Sequence, residues 1–175
     1  MSGNSKRVLA NGRYARFIEE DGWEYVERLK ISGIVLIVAV NDEGEVVLVE
    51  QYRHAVGCSV VELPAGLAGD VPGQEHETLE IAARRELVEE TGYEAETMEL
   101  LLEGYPSAGL CSERLTLFRA GSLKKVGPGG GDESESIIVH EVKLCAIDKW
   151  LAAQQKAGKA IDMKIHTGLY FLSRS

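Results

Sequence analysis

Ten consecutive residues, Arg84-Arg85-Glu86-Leu87-Val88-Glu89-Glu90-Thr91-Gly92-Tyr93, constrain this chain more than any other stretch. As a helix of 3.6 residues per turn, they set Glu86, Glu89 and Glu90 at i, i+3 and i+4. The three carboxylates then span an arc of roughly 100°, on the side that carries Leu79 and Ala83 in the preceding turns. Like charges at i,i+4 destabilise a helix by about 0.2–0.5 kcal/mol per pair, and partial burial adds a desolvation cost. A hard cation with oxygen ligands relieves both. Mg²⁺ typically takes one or two carboxylates and leaves room for water and phosphate. The ordinary alternative is a solvated acidic helix in which Arg84 and Arg85 supply i,i+4 pairs, because blocks of charge are usually surface.

The upstream residues favour the cation. Glu77 lies eight positions before Arg85. Glu77, Arg85, Glu86, Leu87, Glu89, Glu90, Gly92 and Tyr93 follow the order glutamate, seven residues, Arg-Glu, a bulky aliphatic, one residue, Glu-Glu, one residue, glycine and an apolar residue. In spacing and type the stretch resembles the box of the Nudix hydrolases. The glycine that opens that box is replaced here by Val71; the nearest candidate is Gly66, five residues further upstream, so the intervening loop is longer than usual. Gln51-Tyr52-Arg53 ahead of Glu62-Leu63-Pro64-Ala65-Gly66, and Gly22-Trp23-Glu24-Tyr25-Val26-Glu27-Arg28, resemble the branch that hydrolyses ADP-ribose and nucleoside-diphosphate sugars. The likeness runs from about Tyr14 to Leu172.

That resemblance implies a set of roles. Glu86 and Glu90 would be the principal metal ligands, with the backbone carbonyl of Ala65 joining them and Glu89 sharing an ion. Arg85 and Glu77 would orient those carboxylates. The general base would be Glu135, with Glu133 as its competitor, in an acidic loop that otherwise reads as a solvated charge run. The metal would be Mg²⁺, with Mn²⁺ as the other candidate. Trp23 would stack on the nucleobase from N-terminal strands exchanged across a homodimer; on its own it equally reads as a hydrophobic plug on a strand. Arg28 and Arg53 would bind phosphate oxygens as planar forks, or serve surface solubility. Glu113 would contact a ribose or metal-bound water, or pair with Arg114. ADP-ribose hydrolases of this branch carry a proline in the loop that reads Ser107-Ala108-Gly109 here, so Ala108 stands at the marker position. A nucleoside-diphosphate sugar, such as an ADP-, GDP- or UDP-hexose, is therefore as good an expectation as ADP-ribose. Two rivals remain: a nucleoside-triphosphate pyrophosphohydrolase sharing the same helix, and a non-catalytic ligand sensor of the same fold.

The rest of the chain reads as a single α/β enzyme. Asn11-Gly12 and Asp21-Gly22 are hairpin turns between the strands Arg7 to Ala10, Tyr14 to Glu19 and Trp23 to Ile31. Gly33 to Val40 is continuously aliphatic, as a central strand is. Strands are further expected over Glu45 to Gln51, Val60 to Leu63, Met98 to Glu103, Leu115 to Ala120 and Ile137 to Leu144. Helices are expected over Glu75 to Glu90, Ala146 to Gln155 and Ile161 to Leu172, and Val126 to Gly131 reads as a flexible loop. Together with the resemblance this predicts an α/β/α sandwich of mixed sheets, with residues 1–32 as a small N-terminal β subdomain and 33–175 as the hydrolase domain. A net charge of −9 argues against nucleic acid or an anionic membrane as a partner. The longest apolar run is far short of the ~20 residues that span a bilayer, and the polar start lacks the apolar segment of a signal peptide. A cytoplasmic location with reduced Cys58, Cys111 and Cys145 is the expectation.

Overall fold

The computed structural model of the chain describes residues 6–131 and 136–174. Glu133 and Glu135 lie outside the described residues. Three strands come first: β1 (Arg7–Asn11), β2 (Ala15–Glu20) and β3 (Trp23–Arg28), an antiparallel meander forming a sheet of its own. Its second hairpin turns on Asp21 and Gly22, with φ of 52° and 84°, the paired positive dihedrals of a two-residue type I′ turn.

The body follows as β4 (Gly33–Ala39), β5 (Glu45–Arg53), β6 (Cys58–Glu62), β7 (Ala65–Ala68), α1 (Leu79–Thr91), β8 (Tyr93–Gly104), β9 (Leu115–Lys125), β10 (Ile138–Lys143), α2 (Ile147–Lys156), β11 (Ala160–Ile161) and α3 (Lys164–Leu172). Two mixed four-stranded sheets result, of order β7-β4-β9-β8 and β10-β5-β6-β11. The aliphatic β4 is internal, paired antiparallel with β7 and parallel with β9, and its residues 34–39 are buried. Val35 and Ile37 pack with Ala82, Ala83 and Leu87 of α1. The intervening Leu36 and Val38 join Ile147 and Leu151 of α2 and Ile165 of α3. Helices thus cover both faces, as the α/β/α expectation required. Each aliphatic side chain so buried contributes about 1.5–3 kcal/mol.

Several boundaries differ from the sequence expectation. Helix α1 starts at Leu79, four residues later than expected, because Thr78 adopts an extended conformation and its side chain accepts from Ile81 N–H; Glu77 therefore sits in the loop. Strand β7 falls where the sequence predicts no strand: Ala-Gly-Leu-Ala has little strand propensity, and only the open edge of β4 recruits it. Helix α3 begins at Lys164 because Ala160 and Ile161 pair with Val60 and Val61 as β11. Strands β8 and β9 run longer than their apolar cores, paired from Tyr93 with Lys125 to Gly104 with Leu115. Among the described residues no helix is long and apolar enough to cross a membrane.

Candidate active site

Helix α1 is held at both ends so that its last turn is fixed. Gly92 takes φ of 71° and donates to Val88 O at 2.9 Å, a left-handed C-terminal cap. The glycine-rich segment expected to be a flexible loop forms an outer cap instead. Val126 donates to Gly92 O, Gly130 N–H to Glu90 O at 2.9 Å and Gly131 N–H to Glu89 O at 3.0 Å. These bonds satisfy carbonyls that a helix end leaves orphaned. A Cβ at Gly129 would lie 2.5 Å from the Thr91 carbonyl carbon, so backbone contact demands glycine there.

The three carboxylates of this turn occupy different surroundings. Glu90 is 2% exposed, and its Oε2 accepts from Ala65 N–H at 2.9 Å. Glu86 packs against the bare backbone of Gly66, where a Cβ would fall 1.8 Å from the Glu86 carboxyl carbon. Glu89 is open to solvent. Arg85 is the hub: Nη1 donates to Glu86 at 2.9 Å and Glu89 at 3.1 Å, and Nη2 to Leu67 O at 2.9 Å and Glu77 at 3.0 Å. Glu77 also accepts from Gly69 N–H at 3.1 Å, Gly69 having φ of 76°. The work expected of one opening glycine is divided here: Gly66 makes room for Glu86, and Gly69 turns the loop toward Glu77.

Despite Arg85, burial dominates at Glu86 and, with the nearby Glu89 and Asp70 charges, pushes its carboxyl up to about 7. The site is short of positive charge. Among the described residues no three His, Cys, Asp or Glu side chains converge into a metal cage. The set suits a hard cation that takes one or two carboxylates and completes its sphere with water and phosphate oxygens. Glu86 and Glu90 would hold such an ion, beside the backbone of Ala65.

A cleft of roughly 630 Å³ brings Arg28, Arg53 and Glu113 together with Ala65 and the α1 carboxylates. Arg53 forks onto the buried Glu62, its Nε 3.1 and 3.0 Å from the two carboxylate oxygens. Glu113 accepts from Arg28 Nε at 2.6 Å, while Arg114 pairs with Glu103 at 3.4 Å. The expected Glu113–Arg114 alternative is thereby corrected: the loop is stitched to β3 by Val26 N–H to Leu110 O and Ser112 N–H to Val26 O, which turns Glu113 toward Arg28. Trp23 and Ala108 lie elsewhere. They line a separate hollow of roughly 350 Å³, bordered by the same Cys111 that borders the cleft, and Trp23 is 73% exposed. Within one chain the tryptophan and the carboxylates do not share a cavity.

Sequence reasoning missed Gln51, Glu62, Asp162 and Lys164, all lining the cleft. Glu62 carried a usable clue, an ionisable residue ending the buried run Val60-Val61. Asp162 and Lys164 carried none, because α3 reaches the cleft only through tertiary packing.

A family model described as NUDIX domain matches residues 31–163. The chain is 39% identical over 119 residues to a methanol dehydrogenase activator of Bacillus methanolicus, and 36% identical over 119 residues to an ADP-ribose pyrophosphatase of Bacillus subtilis strain 168. Each alignment covers 67% of this chain and 62% of the relative, so the match spans less than two thirds of those proteins. A GDP-mannose pyrophosphatase of Citrobacter koseri is 31% identical over 152 residues, covering 82% of this chain and 74% of its own. Among solved structures, one described as the crystal structure of an ADP compounds hydrolase superposes with a TM-score of 0.63 at 20% identity, covering 83% of this chain and 80% of that one.

Proposed function

The chain belongs to the Nudix family, and from that premise we propose that it hydrolyses the diphosphate bond of a nucleoside-diphosphate sugar, giving a nucleoside monophosphate and a sugar phosphate. The observation that carries this reading is the single cleft in which the α1 carboxylates share a cavity with Arg28 and Arg53. A diphosphate needs both features: cation-holding carboxylates on one side, and planar forks for its oxygens on the other. Relatives named for ADP-ribose and GDP-mannose support a nucleotide sugar.

A divalent metal is general among Nudix hydrolases, and we assign Mg²⁺ here, with Mn²⁺ as a substitute. Glu86 and Glu90 would hold it with the Ala65 carbonyl, Glu89 would assist, and Arg85 with Glu77 keeps the carboxylates aimed. When bound, the ion neutralises charge developing on the diphosphate and activates water. Glu135, or Glu133, would be the general base that accepts a proton from the attacking water. The chain acts as a homodimer in the cytoplasm, residues 1–32 crossing to the partner so that Trp23 stacks on the base. Support for the exchange is that Trp23 is exposed and faces a hollow apart from its own cleft.

Incubating the protein and Mg²⁺ with ADP-ribose, several nucleotide hexoses and nucleoside triphosphates, with products identified, tests the reading. Nucleoside monophosphate plus sugar phosphate is the expected result. Pyrophosphate released from triphosphates alone, or ADP-ribose bound without turnover, overturns it.

A further inference from the structure

Beside the cleft lies a second hollow of roughly 140 Å³ that the proposed chemistry leaves unused. It adjoins the cleft, with Leu36, Pro106, Leu115 and Lys164 lining both. Its remaining wall is mainly apolar, from Leu102, Leu117 and Tyr105. Among the described residues, Lys164 is the one basic side chain of that lining, and Thr167, one helical turn on, brings a hydroxyl.

Lys164 stands where the two spaces meet. Its backbone N–H donates to Asp162 Oδ1 at 2.8 Å, and its ammonium pairs with Asp162 Oδ2. Asp162 thereby fixes the first turn of α3 and holds the lysine at the junction. The cleft's arginines belong to its other parts: Arg85 spans the α1 carboxylates, Arg53 forks onto Glu62, and Arg28 pairs with Glu113.

We propose that this annex is the sugar subsite and that it takes the single pyranose ring of a nucleoside-diphosphate hexose, an inference that rests on the activity proposed above. The hollow seats the body of one ring against its apolar wall, as an apolar cavity of about 150 Å³ holds benzene, and a ring's polar edge stays at its mouth. Chemistry selects a sugar. A pyranose has a C–H face that lies on leucine, proline and tyrosine side chains, and hydroxyls at its edge that accept from the Lys164 ammonium and exchange hydrogen bonds with Thr167. Its C1 phosphate then points back into the cleft, toward the carboxylate turn. Lys164 is thus a specificity-determining residue for the sugar half of the substrate.

Two variants test this. Gly104 lines the annex, and a Cβ there meets nothing within 4 Å, so Gly104→Leu fills the hollow without backbone conflict. Lys164→Met removes the donor. Calorimetric titration with glucose 1-phosphate and mannose 1-phosphate, in Mg²⁺, is compared with titration by AMP and GMP. Both variants are expected to bind the hexose phosphates at least tenfold more weakly and the nucleoside monophosphates within twofold of wild type, which also shows that the fold persists. Unchanged hexose phosphate binding, or weakening confined to the nucleoside monophosphates, overturns the sugar assignment while leaving the diphosphatase reading standing. Absence of nucleotide-sugar hydrolysis by the wild-type protein overturns that reading, and the sugar assignment with it.

Discussion

Glu86 and Glu50 are both withdrawn from water, yet their surroundings pull them in opposite directions. At Glu86 burial prevails over Arg85 and raises the carboxyl to about 7. At Glu50, which is 4% exposed on β5, burial also pushes upward, but Lys159 Nζ at 2.7 Å and His140 Nε2 at 2.8 Å outweigh it and hold the carboxyl below its ordinary range. His140 in turn packs edge-on against Trp150 with ring centroids 5.0 Å apart. The Glu50 cluster clasps β10, β5 and the approach to β11 with its charge met internally. The Glu86 turn sets three carboxylates, Glu86, Glu89 and Glu90, beside the one Arg85. Burial alone does not mark a functional carboxylate; the balance of charge around it does.

Neutralising each carboxylate in turn separates the two sites. Glu90→Gln and Glu86→Gln should each lower kcat at least 10³-fold, about 4 kcal/mol in barrier, while the protein still unfolds cooperatively; near-normal turnover with Mg²⁺ would remove the carboxylate helix from the chemistry. Glu50→Gln should do the reverse. Leaving Lys159 without its counter-charge and His140 without its carboxylate partner should cost about 3 kcal/mol in denaturant unfolding, with kcat/KM within a factor of about three. A turnover defect as large as that of Glu90→Gln would erase the distinction between the two sites.

Proton linkage sharpens it further. Because the folded carboxyl of Glu86 is raised above its unfolded value of 4.5 to about 7, the folded state binds more protons between those limits, and metal-free protein should lose stability as pH climbs through that window. The loss is roughly 2–3 kcal/mol; Glu86→Gln should flatten it, and Mg²⁺ should restore the stability above pH 7. Glu50 has the opposite sign. Its contribution is present above its unfolded value of 4.5 and fades as pH falls through its lowered folded value, so Glu50→Gln should blunt acid unfolding instead. Identical pH profiles for the two variants would contradict both assignments. The smallest effect is at the helix start: Thr78→Ala should cost about 1 kcal/mol through loss of the cap, read by thermal melting.

Local pattern made much of this legible in advance. Glu86, Glu89 and Glu90 could be placed on one flank because helical spacing is a property of neighbours in sequence, and Gly92 could be read as the terminator for the same reason. The continuous aliphatic run of β4 announced an internal strand. Where prediction failed, the cause was a contact between distant residues. Strand β7 exists because β4 offers it an edge. The 126–131 glycines read as a flexible loop, yet Gly130 and Gly131 donate to the carbonyls of Glu90 and Glu89. Glu113 turns to Arg28, eighty-five residues away, rather than to its neighbour Arg114.

The carboxylate turn was legible from the spacing of residues 77–93, and the order of aliphatic, alternating and amphipathic runs along the chain was enough for a layered α/β architecture. Only the tertiary structure decided that Arg53 is clamped by Glu62, that Lys164 joins the cleft to an apolar annex, and that Trp23 faces a different hollow from its own chain's carboxylates. Those outcomes depend on how sheets and helices pack, and on how much water each packed surface excludes around a charge. No window of neighbouring residues encodes either.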